Sequence, residues 1–147
     1  MNVILLSLLV SLMWGITPII KKYALKSISP IMLIYISGIC YFIGTFIIGF
    51  IYKKELLEEY KNLNFINIFF IMICIFGGGY IAEIIFLNLL KNNKSAIITA
   101  LTYSSPFFTL ALAYFILNEK IKLYGIIGIF FITIGIIFIG LNNYYDM

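Results

Sequence analysis

The sequence predicts an all-α integral membrane protein, a bundle of five transmembrane helices. Three observations carry that prediction. Apolar residues (Ala, Val, Ile, Leu, Met, Phe, Trp, Tyr and Cys) make up 63% of the 147 residues, and charged residues only 11%. Soluble domains hold roughly 45–50% apolar residues even with glycine included, and about 25% charged ones. The mean hydropathy is +1.11. Finally, cutting the chain at its charges leaves five apolar stretches, each near the roughly 20 residues that a helix needs to cross a bilayer. Stretches so long and so continuously apolar exclude a β-barrel, whose strands run to only about 9–11 residues. The length predicts a single domain over residues 1–147.

The first span covers about residues 3–20 and is expected to stop at Lys21 and Lys22. Ser7, Ser11, Gly15 and Pro18 recur on one of its faces, with Trp14 beside Gly15. The second, about 31–52, is entered through Ser29-Pro30 and ends at Lys53 and Lys54; Gly38, Thr45 and Gly49 form a packing face on it. The connector 53–64 carries three Lys and three Glu and reads as a short interfacial turn of helix.

The third span, about 65–90, holds Gly77-Gly78-Gly79 and then Tyr80 and Glu83 on one face. Three consecutive glycines cost roughly 1 kcal/mol each against Ala in a helix, so they imply a close neighbour or local unwinding. After a tight turn at 91–94 comes the fourth span, about 95–118. Ser95, Thr99, Thr102, Pro106, Thr109 and Ala113 make the longest polar stripe in the chain, with Tyr103 and Ser105 alongside and Glu119 at its end. Such hydroxyls can back-bond to their own helix and serve packing alone. A mid-span proline frees a backbone carbonyl and allows a kink, which suits a cavity wall. The fifth span, about 123–141, aligns Gly125, Gly128 and Gly135, small residues that let two helices approach closely, within the subunit or against a partner. A polar tail, 142–147, follows.

The chain has no His, and its two cysteines, Cys40 and Cys74, lie inside apolar stretches. No metal site, cofactor or catalytic residue is expected, and an enzyme is disfavoured because no paired acids face a common space. The net charge of +4 comes from Lys in short groups between spans, which read as anchors at the lipid interface and not as a nucleic-acid surface. Glu83 is the one charge inside a span. A lone carboxylate there must face water, find a partner or hold a proton. Two readings follow: an acid that couples transport to protons or cations, or an interfacial carboxylate snorkelling near Lys91.

Basic residues favour the cytoplasmic side. Here Lys53, Lys54, Lys61, Lys120 and Lys122 lie on the side of the N-terminus, and Lys21, Lys22, Lys26, Lys91 and Lys94 on the other. A tie of this kind arises by chance or from insertion in both orientations, with two copies paired head to tail.

Three pieces of the sequence resemble the EamA-type proteins of the drug/metabolite transporter superfamily, over essentially the whole length. Trp14-Gly15 with Pro18 is similar to the family's first-span signature. Asn88-Leu89-Leu90-Lys91 to Ser95-Ala96, then Thr99 to Pro106, looks like its link from third to fourth span. Ala113-Tyr114-Phe115-Ile116-Leu117-Asn118-Glu119, followed by Gly125, Gly128 and Ile134-Gly135, resembles its acid-ended fourth helix and glycine-bearing fifth. The resemblance implies one half of an inverted-repeat, ten-helix carrier, and its single-half members look like five-span transporters that act as dimers. The chain departs from the pattern in three places. Tyr35 and Ser37 stand where many relatives have an Arg, Glu83 has no counterpart, and the first-span acid of the multidrug relatives is absent.

The leading expectation is a secondary transporter of a small metabolite or drug-like solute, in the plasma membrane. It would work as an antiparallel homodimer or paired with a paralogue, by alternating access. Trp14, Tyr80, Thr99, Thr102, Tyr103 and Pro106 are its candidate cavity residues and Glu83 its candidate coupling acid. Gly15, Gly38, Gly125, Gly128 and Gly135 are the candidate packing positions. The alternatives are a flippase for a lipid-linked precursor and a non-transporting subunit that pairs with another five-helix chain.

Overall fold

Inside a bilayer every backbone N–H and C=O must be satisfied within the protein, so a lone apolar stretch becomes a helix. The computed structural model describes residues 2–145, and its apolar stretches are helices. Helix α1 is Val3–Ala24, α2 Pro30–Ile51 and α3 the charged connector Lys53–Glu59. The third span joins α4, Phe65–Ile73, through a π-helical segment, Cys74–Ile81, to α5, Ala82–Asn92. The fourth is divided into α6, Ser95–Thr102, and α7, Ser105–Ile116; α8 is Leu123–Tyr145. Among the described residues there is no strand. Among them five stretches are helical, long and apolar enough to cross a membrane: Val3–Ala24, Pro30–Ile51, Phe65–Asn92, Ser95–Ile116 and Leu123–Leu141. The protein is an all-α integral membrane protein.

Backbone contacts gather it into two units, one formed by Ile20–Lys91, the other by the described residues up to Ile19 and from Asn92 onward. In the first unit the Lys pair does not stop the helix. Helix α1 continues to Ala24, because the four-carbon stems of Lys21 and Lys22 can follow apolar surface while their ammonium groups reach polar partners. The chain then turns through 25–29, and Ser29 caps α2: its hydroxyl accepts from the Met32 N–H at 3.1 Å. Pro30 opens the helix where its missing N–H costs nothing. Leu25, Leu33, Leu87 and Leu90 form the buried cluster here. Lys22 Nζ donates to the carbonyls of Leu90 and Lys91 at 2.6 and 2.8 Å, satisfying acceptors that the end of α5 leaves open. Gly77-Gly78-Gly79 brings no neighbour close, with open space where side chains would be, and the local unwinding takes the form of the π-helical segment in which these glycines sit.

In the second unit α6 and α7 both pack along α8. The fourth span does more than kink. It leaves the helix at Tyr103 and Ser104, before Pro106, whose ring would crowd the Thr102 carbonyl in an uninterrupted helix. Restarting at Ser105 puts Pro106 in the first turn of α7, where a proline is tolerated. Helix α7 ends at Ile116, two residues short of the expected limit, and Asn118 adopts a left-handed φ of 53°. Asn is one of the few residues that enters this region readily. Helix α8 runs on to Tyr145, so the first part of the expected polar tail is helical; residues 146 and 147 lie outside those described.

Candidate functional site

The predicted site residues fall into two groups. In the first unit Tyr80 and Glu83 line a cavity of about 490 Å³. Helix α1 adds Lys21, α2 adds Ser37, Gly38 and Tyr41, and the π segment adds Gly78 and Gly79. Lys21 Nζ donates to Glu83 Oε1 at 2.6 Å, an ion pair whose side chains keep 27% and 28% exposure. The same ammonium lies 5.9 Å from the centre of the Phe86 ring, within range of a cation–π contact. Glu83 is thus paired with a lysine 62 residues away in the chain, in place of the Lys91 of the interfacial reading. The rest of the wall is apolar, with Ile34 and Ile75.

In the second unit Trp14, Tyr103 and Pro106 come together around a cavity of about 680 Å³, joined by Ser7, Ser11 and Ser105. Pro18 explains part of its construction. Lacking an N–H, it leaves the Trp14 carbonyl without its helical donor. The Tyr103 hydroxyl supplies one, donating to Trp14 O at 3.0 Å. The lower half of the polar stripe, Pro106, Thr109 and Ala113, lines a further hollow of about 410 Å³ with Glu119. Thr99 and Thr102 line none of these spaces; the Thr99 hydroxyl is buried and has no hydrogen-bond partner among the described residues.

Gly38 lines the charged cavity. At Gly15, Gly38, Gly128 and Gly135 an added Cβ would meet nothing within 4 Å, and at Gly125 it would come within 3.1 Å of Ile121 Cγ2. Among the described residues no group of His, Cys, Asp and Glu is gathered that could hold a metal ion. Lys21, Ser37 and Tyr41 are the residues that sequence reasoning missed. An acid inside a span calls for a cation, but ten lysines offered no means of choosing among them.

Five apolar spanning helices, with polar side chains turned into cavities, define a multi-pass membrane protein. The sequence pattern of the EamA-like transporter family matches residues 1–141, and the chain belongs to that family. It is similar to an uncharacterized transporter of Bacillus subtilis, YoaV, at 30% identity over 134 residues, which cover 88% of this chain and 43% of YoaV. It is also similar to an uncharacterized protein of Methanocaldococcus jannaschii, MJ1333.1, at 27% identity over 140 residues, 95% of this chain and 97% of that protein. The chain therefore spans less than half the length of YoaV and nearly all of MJ1333.1. No solved structure matches it.

Proposed function

We propose that this chain is one half of a secondary transporter for a small metabolite or drug-like solute, seated in the plasma membrane. Family membership supports transport as the activity. The observation that carries the reading is the Lys21–Glu83 pair facing a cavity within helices apolar enough to span a bilayer. Charges in such helices are costly and mark routes for solutes or ions. Glu83 is the coupling acid, Tyr80 stands on its face of the helix, and Trp14, Tyr103 and Pro106 offer the solute rings and hydroxyls.

Two copies in opposite orientations complete the carrier, giving the inverted symmetry around which many transporters alternate their access. The length relation to YoaV supports this, since less than half of YoaV is covered. So do Gly15, Gly128 and Gly135, which leave room for another helix to approach. The lysine balance supports it further, with five lysines expected on each side of the membrane.

In proteoliposomes with an entrapped pH dye and a panel of metabolites and drug-like solutes, an active solute moves protons through the wild type. Glu83→Gln reduces that movement to the level of empty vesicles; movement at the wild-type rate removes the coupling role. A single cysteine introduced after Leu141, in a background without Cys40 and Cys74, reports orientation. Labelling from both faces of the membrane supports opposite insertion, and labelling from one face ends it.

A further inference from the structure

We infer that Lys21 decides when the Glu83 carboxylate is available, an inference that rests on the coupling role proposed for that acid. The titratable groups facing the cavity are Lys21 from α1, Tyr41 from α2, and Tyr80 and Glu83 from the third span. Of these, Lys21 is the cation, and it is in contact with the carboxylate at 2.6 Å. Its neighbour Lys22 is engaged with the carbonyls of Leu90 and Lys91.

Removing one member of a poorly hydrated ion pair strands the other, which costs far more than losing an exposed pair. Both side chains here are about three-quarters covered. A proton that lands on Glu83 while Lys21 stays in place leaves an ammonium without a counter-charge in an apolar wall. Proton uptake and departure of Lys21 are therefore one event. Lys21 acts as a tethered cation that fills the acid's position whenever no proton is to be carried. It is a positioning residue: it acts on the solute route through Glu83, and it closes the carboxyl to idle proton exchange.

The test needs no solute. Dicyclohexylcarbodiimide is uncharged, enters apolar regions and reacts with a protonated carboxyl that has no ionic partner. The O–H adds across its C=N bond, the oxygen bonding to carbon and the proton passing to nitrogen. The purified full chain is treated near neutral pH, and mass spectrometry follows adduct formation on the peptide that contains Glu83. Lys21→Met is expected to label about tenfold faster than the wild type, and Lys21→Arg, which keeps the cation, at nearly the wild-type rate. Lys21→Gln, a polar replacement, labels like the Met variant and guards against a protein that fails to fold. The inference is overturned if the Met and Gln variants label at the wild-type rate, or if the Arg variant labels as fast as they do. Because labelling is independent of flux, that result would stand apart from the Glu83→Gln vesicle measurement, which tests the coupling role alone.

Discussion

Ile20–Lys91 and the unit formed by the two ends of the chain handle the same difficulty, a polar group inside an apolar helix, in opposite ways. The first matches charge with charge: Lys21 with Glu83 at 2.6 Å. The second matches dipole with dipole: the Tyr103 hydroxyl with the Trp14 carbonyl that Pro18 leaves open, at 3.0 Å. The contrast separates two tasks. A charge pair in a span is expensive to disturb and so can link two events, whereas a neutral hydrogen bond is worth about 0.5–1.5 kcal/mol and is exchanged more readily.

Two double-mutant comparisons break or sharpen this contrast. The larger effect belongs to the charged unit. Lys21→Met should lower stability by about 1–3 kcal/mol, less than the loss for a fully buried pair because about a quarter of each side chain is exposed. Adding Glu83→Gln should recover most of that loss, since the stranded carboxylate is gone. Thermal unfolding in a mild detergent reads both. The same loss for Lys21→Met in the wild type and in a Glu83→Gln background would show that the charges are independent of each other.

The smaller effect belongs to the neutral unit. Tyr103→Phe should cost about 1 kcal/mol by leaving the Trp14 carbonyl unpaired. In a Pro18→Ala background the restored amide at position 18 serves that carbonyl, and the same substitution should then cost almost nothing. A cost that persists in this second background assigns the loss to something the hydroxyl does other than serve that carbonyl, and dissolves the proposed link between Pro18 and Tyr103.

The architecture was legible because its cause is compositional. Lysines and glutamates punctuate the apolar stretches, and a stretch of about 20 residues in lipid has little choice but to be a helix. Glu83 stood out for the same reason, as a charge where none is expected. Its partner was hidden. The lysine doublet at 21 and 22 is the ordinary mark of a helix leaving the membrane, and nothing local shows that the helix continues to Ala24 with both lysines bonded elsewhere. The break in the fourth span was half legible. Pro106 announced it, but relief comes at Tyr103 and Ser104, because a proline obstructs the turn before it and suits the turn it opens. The grouping of the site was not legible at all. One list of cavity residues was divided, Tyr80 lining one cavity, Trp14, Tyr103 and Pro106 another, and Thr99 and Thr102 neither, a division made by contacts between distant helices that no periodicity records.

The π-helical segment Cys74–Ile81 has a mechanical consequence. A helix wound this way stores surplus chain in its turns, and releasing a single residue of it would turn the adjoining helix Phe65–Ile73 by about 100° about its axis. The far end is held, because Lys22 grips the last carbonyls of α5. The strip of Phe65–Ile73 turned toward a given neighbour could thus be exchanged for another by passing one hydrogen-bond register along the rod. Neither melting nor a hinge would be needed.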